Sequence, residues 1–180
     1  MEVTLSAMPP YLPSLAWLIR KGSGLTNPPM KTRDYTRTLI ESNSPEGMVL
    51  TVPVVGGSSA AKRLKPEQLE ISSHGDWTRI HLGAIEAAYG REPYFQHYFP
   101  DIAGIIEGYP PMLGEMNGKL LSYMLSCISY KENIKELEEM KTLHSARYTD
   151  IRNRLMNKVN PSHSFIEPLF RLGRDSLFLL

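Results

Sequence analysis

Helical spacing of apolar residues is most regular over residues 77–89. The inward positions recur at i, i+3, i+4, i+7, i+8 and i+11, which places them on one face of a helix. They are Trp77, Ile80, His81, Ala84, Ile85 and Ala88. Asp76 fits the N-cap, because a carboxylate can accept from the free amides of the first turn. Gly90 fits the left-handed residue that ends many helices.

The remaining pattern predicts strands in the first half of the chain and helices in the second. Further helices are expected at residues 15–20, 95–106, 113–130 and 132–144. Pro100 is expected to divide the second of these or to kink it. Strands are expected at residues 2–7, 48–55 and 69–73. The near-continuous apolar run of residues 48–55 predicts a strand that is buried on both faces.

These elements predict an α/β fold. Long connections between the strands favour a small mixed or parallel sheet that helices cover, followed by a helical C-terminal half. An α+β arrangement is the alternative. The length of 180 residues predicts a single domain over residues 1–180.

Composition limits the classes of function. A net charge of +1 leaves no basic footprint for nucleic acid. No apolar run reaches about 18 residues, so membrane insertion is not expected. The single cysteine, Cys127, is expected to be a buried thiol and suits a reducing compartment. Together with the lack of a signal-peptide pattern, this predicts a cytoplasmic protein.

No known motif for a metal, a nucleotide cofactor or a nucleophile occurs in the sequence. The spacing of the five histidines matches no zinc pattern, so neither a metal nor a cofactor is expected. His81 is the unusual member of an apolar helix face, since a titratable ring needs a partner there. It is either a satisfied core histidine or a site residue.

Several short motifs share their order with a known family. They are P-x-Y-x-P around Tyr11, L-T-V-P-V at residues 50–54, W-x-x-x-H at residues 77–81, and D-x-R at residues 150–152 followed by Lys158. The segment at residues 164–173 resembles an ending of the form L-S-I-I-D-L-L-F-N-x-G. In this order, the motifs resemble the WbqC-like protein family, a bacterial family associated with O-antigen and surface-polysaccharide gene clusters.

The resemblance implies a site built from eight residues. His81 and Glu167 are the expected catalytic residues, with His81 as general base and Glu167 orienting His81 or the substrate. The expected substrate-binding residues are Tyr11, Arg37, Trp77, Asp150, Arg152 and Lys158, with Lys31 a weaker candidate. Arginine donors match phosphate geometry, which favours Arg37 and Arg152 as anion contacts. Arg152 and Arg171 are the candidate partners of the Glu167 carboxylate.

Several of these assignments have a structural alternative. Tyr11 could pack a turn, and Arg37 could be a solvated arginine. Asp150 and Arg152 could form a surface ion pair worth under ~1 kcal/mol. Compared with the family pattern, this chain also lacks an early acidic strand and has a shortened segment before residue 164.

Two functions of different classes follow. The first is transfer of an amino-acyl or related group to a nucleotide-linked amino sugar, with a nucleotide sugar as the ligand. The second is a non-catalytic protein that binds an enzyme of the same pathway, which the lost strand and the shortened segment favour. The sequence leaves open whether the protein is an enzyme.

Overall fold

The computed structural model describes residues 9–22 and 35–180. The helices in this part of the chain are α1 (Leu15–Gly22), α2 (Gly57–Arg63), α3 (Trp77–Tyr89), α4 (Phe95–Glu107), α5 (Leu113–Cys127), α6 (Tyr130–Leu143), α7 (Ser145–Met156) and α8 (Ile166–Leu172). Two strands, β1 (Arg37–Ile40) and β2 (Met48–Thr51), and two 3-10 helices, Pro66–Gln68 and Gly173–Leu179, complete the description. The expected mixed α/β class with a helical C-terminal half is confirmed.

The described sheet is smaller than expected, and it is antiparallel. Strands β1 and β2 pair with Arg37 opposite Thr51 and Ile40 opposite Met48. The connection between them, residues 41–47, is too short for the crossover that parallel strands need. Strand β1 was not predicted from the sequence.

Two strand predictions need correction. The run at residues 48–55 is a strand only to Thr51. It is not buried on both faces, since Met48 is 43% exposed and Val49 is 56% exposed. At residues 69–73 the structure has only isolated bridges, which join Ile71 to Val54 and Glu70 to Met112. The strand expected at residues 2–7 lies outside the described residues.

The helical predictions hold better. Helices α1, α3, α4, α5 and α6 occur where the apolar spacing predicts them. Helix α4 continues through Pro100 without division. The cap predictions for α3 were wrong in detail, because Asp76 makes no side-chain cap bond and Gly90 has a φ of −58°. Helices α2 and α7 were not predicted, and α7 has no buried residue.

The core lies where α4, α5 and α8 pack against one another. Its fully buried side chains include Ile102, Met116, Leu120, Met124 and Leu169. The rings of Phe95 and Phe170 meet edge to face, with their centroids 5.0 Å apart. Such pairs stabilise a core beyond the area that they bury. Helices α6 and α7 add only Leu137 to the buried set, so they form an outer layer.

One buried amide joins the N-terminal turn to this core. Asn117 of α5 is 0% exposed, and its Nδ2 donates to the carbonyls of Pro9 and Tyr35, both at 3.0 Å. The Tyr11 amide donates to the same Tyr35 carbonyl at 3.0 Å. Asn117 therefore holds the segment that carries Tyr11.

We expect Asn117→Ala to lower the free energy of unfolding by about 1–3 kcal/mol, because two buried carbonyls lose a donor. Urea unfolding measures this loss. Asn153→Ala, at an exposed position of α7, is the matched control and should stay within about 0.5 kcal/mol of the wild type. Equal stability of both variants would contradict the role of Asn117.

Candidate functional site

Three of the predicted site residues meet in one buried cluster. The Tyr11 hydroxyl lies 3.1 Å from Nδ1 of His81. The Trp77 ring meets the His81 ring edge-on, with centroids 5.2 Å apart. On its other side, Trp77 contacts the ring of Tyr109 at 5.1 Å between centroids. We call these four residues the aromatic–histidine cluster.

The chemistry of His81 follows from its burial, because the side chain is only 4% exposed. Burial lowers the pKa of His81 to about 4, although a hydrogen bond to the backbone of Thr51 opposes part of this shift. The ring is therefore neutral at pH 7. A hydrogen bond that raises a histidine pKa is one that the ring donates, so we assign Nδ1 as the acceptor for the Tyr11 hydroxyl.

Both polar atoms of His81 thus have partners, and Tyr11 is 0% exposed. A general base must come within hydrogen-bond reach of the proton that it abstracts. In this arrangement a ligand has no direct route to the imidazole without displacing Tyr11 or Thr51. The geometry matches a satisfied core histidine, one of the two alternatives that the sequence left open.

Arg37 lies beside this cluster without joining it. It is the first residue of β1 and pairs in register with Thr51, the residue whose backbone meets His81. Its side chain is exposed. The position leaves Arg37 accessible to an anion in solvent. Lys31 lies outside the described residues.

Glu167 belongs to a second cluster, which is centred on Arg171. The carboxylate is 1% exposed, and its Oε1 accepts from Nη1 of Arg171 at 2.6 Å and from the Asn160 amide at 3.1 Å. Its Oε2 lies 2.6 Å from Nδ1 of His163. Arg171, not Arg152, is therefore the predicted partner that the structure places against Glu167. No hydrogen bond in the described part of the chain joins Glu167 to His81.

Arg171 also meets two carboxylates from other parts of the chain. Its Nε donates to Glu92 at 3.0 Å, between α3 and α4, and its Nη2 donates to Glu41, just after β1. Its Nη1 makes a further bond to the backbone carbonyl of Lys158 at 3.0 Å. We call Glu41, Glu92, Glu167, Arg171 and His163 the Arg171 cluster.

The electrostatics of this cluster explain why each member needs the others. Burial raises the pKa of Glu167, whereas the Arg171 charge, His163 and the Asn160 amide each act to lower it. The Glu92 hydrogen bond and the nearby glutamates raise the pKa of Arg171 against the effect of its own burial. Removing Arg171 would take away the positive charge that offsets the buried Glu167 carboxylate, which is destabilising.

The predicted D-x-R…K element lies on α7 and just beyond it. Asp150 pairs with Arg154 at 2.7 Å on the exposed surface, and not with Arg152. Arg152 is half-buried and makes no ion pair with any described residue. The side chain of Lys158 is exposed, whereas its carbonyl is held by Arg171.

A cavity of about 590 Å³ opens between the end of α7 and the C-terminal 3-10 helix. Its polar lining includes Arg154, Lys158 and Asp175, and its walls are mainly apolar. The lining consists of Ile151, Arg154, Leu155, Asn157, Lys158, Asp175 and Phe178. We call it the α7 cavity. A smaller cavity of about 170 Å³ shares Asp175 and Phe178 with it.

Lys158, which the family resemblance implied as a substrate-binding residue, lines this cavity, whereas its other lining residues were not predicted. Arg154 was not predicted, because the D-x-R motif pointed to Arg152. The i,i+4 spacing of Asp150 and Arg154 nevertheless favours an ion pair between them on a helix. Asp175 and Phe178 carry no local signal, since only the packing of α7 on the 3-10 helix brings them there. Glu41 and Glu92 likewise meet Arg171 only through the fold.

The described residues show neither a metal-binding cluster nor a membrane-spanning helix. No group of three or more histidine, cysteine, aspartate or glutamate side chains is arranged to hold a metal ion there. Among the described helices, none combines the length and apolarity that crossing a bilayer requires.

The lowered pKa of His81 makes stability depend on pH. Because its folded pKa of about 4 lies below the ordinary value of 6.5, the unfolded chain binds the proton more readily. The contribution is complete above pH 6.5 and is lost as the pH falls through 4. We expect the loss to reach about 3 kcal/mol.

Urea unfolding of the wild type and His81→Gln between pH 7 and pH 4 tests this effect. Glutamine keeps a donor and an acceptor but does not titrate in this range. The variant should be less stable than the wild type at pH 7, and the gap should narrow as the pH falls. Parallel curves would show that His81 is not held neutral by burial.

The chain matches the model of a known protein family. Residues 30–163 match the model of the WbqC-like protein family. The match includes the aromatic–histidine cluster except Tyr11, and it includes α7 with Lys158 but not Glu167. No curated protein and no solved structure matches the chain. Because the family match spans more than half of its residues, the chain belongs to the WbqC-like protein family.

Proposed function

We propose that this WbqC-like protein acts in surface-polysaccharide biosynthesis by binding a nucleotide-linked amino sugar in the α7 cavity. The observation that carries the proposal is the cavity itself, where Lys158 and Arg154 lie beside the ring of Phe178. The pathway comes from the family resemblance. Its placement in the cytoplasm comes from composition, as the single Cys127 suits a reducing compartment.

The volume and the lining support this ligand class. A cavity of about 590 Å³ lies within the usual range for small-molecule sites. Such sites combine apolar walls with a few polar groups that fix orientation. Here Lys158 and Arg154 would contact the phosphates, and Phe178 offers a ring for stacking against a base or a sugar.

The end of a helix is normally a poor place for an anion, because its free carbonyls carry partial negative charge. At the end of α7 several of these carbonyls have donors. The Asn157 amide meets the carbonyls of Asn153 and Leu155, and Arg171 meets that of Lys158. The charges of Lys158 and Arg154 are therefore not needed to compensate those carbonyls of the helix end.

A finer proposal is that the bound amino sugar receives an amino-acyl or related group. In this reaction the sugar amine attacks the carbonyl of an activated acyl donor, such as a thioester. A C–N bond forms, the bond to the leaving group breaks, and the amine loses a proton. His81 and Glu167 are buried and bonded, so Asp175 is the carboxylate at the cavity that we assign as proton acceptor.

The second candidate is a non-catalytic partner of a pathway enzyme. The burial of both His81 and Glu167 favours it, since neither is placed to act directly on a ligand. Residues 110–113, considered as a docking surface, give it no support, because Pro110 and Leu113 are buried. A stable complex with a pathway enzyme, combined with no ligand binding, would establish this candidate.

The binding proposal is tested by isothermal titration calorimetry with UDP-N-acetylglucosamine, UDP-glucosamine, dTDP-glucose, UDP and free glucosamine. We expect the nucleotide sugars to bind and Lys158→Met to weaken them at least tenfold, because a phosphate contact is lost. Lys65→Met removes an exposed lysine that does not line the cavity, and it should leave the affinities unchanged.

Two outcomes would contradict the proposal. The first is that no nucleotide sugar binds to the wild type. The second is that Lys158→Met and Lys65→Met have the same affinities as the wild type. In either case the α7 cavity is not the site, and the partner-protein candidate becomes the better account.

A further inference from the structure

Two residues of the Arg171 cluster make hydrogen bonds to the backbone of the turn that follows α7. Residues 157–160 connect α7 to the segment before α8, and Lys158 is the member whose side chain lines the α7 cavity. Its carbonyl accepts from Nη1 of Arg171 at 3.0 Å. Two residues later, the Asn160 amide donates to Oε1 of Glu167 at 3.1 Å. The turn is thus fixed at two backbone points by one ion pair.

The guanidinium is itself fixed in orientation. Its three nitrogen atoms donate to carboxylates from three separate places in the chain, those of Glu41, Glu92 and Glu167. A planar fork that is bound on all of its nitrogens has little freedom to rotate. The bond from Nη1 to the Lys158 carbonyl therefore has a defined direction.

We infer that Arg171 is a positioning residue for the Lys158 contact in the α7 cavity, an inference that rests on the proposed function. Arg171 is not among the residues that line the cavity. It fixes the backbone from which the Lys158 side chain extends, which reduces the ordering that ligand binding must impose on this turn. Preorganisation of this kind raises affinity without adding a contact.

A double-mutant cycle separates this role from general stabilisation. The four proteins are the wild type, Arg171→Lys, Lys158→Met and the double variant, with UDP-N-acetylglucosamine as the probe at a temperature where all are folded. Lysine keeps the charge of Arg171 but cannot bind four acceptors in one plane. We expect Arg171→Lys to weaken binding about tenfold in the wild type and less than twofold in the Lys158→Met background.

Glu92→Gln is the matched control, because it alters the Arg171 cluster at Nε without touching the bond to Lys158. It should leave the affinity within twofold of the wild type. A further NMR measurement uses only the wild type, so its result does not depend on whether the variants fold. Saturating UDP-N-acetylglucosamine should shift the NMR resonance of the Arg171 Nε–H, because the ligand acts on the turn that Arg171 holds.

The outcomes distinguish this inference from the proposed function. If Lys158→Met weakens the probe but Arg171→Lys leaves its affinity within twofold, the inference is overturned and the proposed function stands. Equal weakening by Arg171→Lys in both backgrounds, or an unmoved Arg171 resonance, also overturns it. If the probe binds to none of the four proteins, the proposed function itself has failed.

Discussion

The Arg171–Glu167 ion pair is the interaction on which the arrangement of the C-terminal half depends. Moving a carboxylate that is 1% exposed out of water costs several kcal/mol, which only close partners offset. Glu167 has three such partners in Arg171, His163 and the Asn160 amide. Arg171 extends the same network to the end of β1 through Glu41 and to the α3–α4 connection through Glu92. One side chain of α8 thereby contacts the segment after β1, the α3–α4 connection and the turn after α7.

The polar side chains of this protein fall into two groups, those that are buried with hydrogen-bond partners and those that solvent can reach. His81 and Glu167 drew attention in the sequence because each interrupts an apolar face. The structure gives both of them buried partners, and their catalytic roles remain predictions. Two accessible cations, Lys158 and Arg154, instead line the α7 cavity on the outer layer. In this chain, the polar residues that interrupt an apolar face, His81 and Glu167, mark buried hydrogen-bonded clusters and do not line the α7 cavity.

The sequence predicted the elements that bury a clear apolar stripe. Helices α3, α4 and α5 have such stripes, and the structure contains all three. It predicted poorly where the signal depends on tertiary contacts. The run at residues 48–55 looked like a doubly buried strand, but β2 is half of a small antiparallel ribbon with an exposed face. Helix α7 has no fully buried residue, and its Tyr148, Leu155 and Met156 are only partly buried against the core.

The candidate site shows the same division. Tyr11, Trp77 and His81 were named as site residues, and the structure brings their side chains together, but their roles remain predictions. Nothing in the sequence showed that Tyr11 bonds to His81 across 70 positions. Arg152 and Arg171 were both named as candidate partners of Glu167, and the structure pairs Glu167 with Arg171, four residues later on α8. Glu41 and Glu92 could not be found from the sequence, since they approach Arg171 only when distant segments pack. Asp175 and Phe178 reach the α7 cavity in the same way.

The most direct test of this account is to map the ligand site by ¹H–¹⁵N NMR of the wild type during titration with UDP-N-acetylglucosamine. The account predicts that the largest shifts fall on Arg154, Lys158, Asp175 and Phe178, around the α7 cavity. Largest shifts on Arg37, Trp77 and His81, with the α7 cavity unchanged, would contradict it and would return the site to the aromatic–histidine cluster.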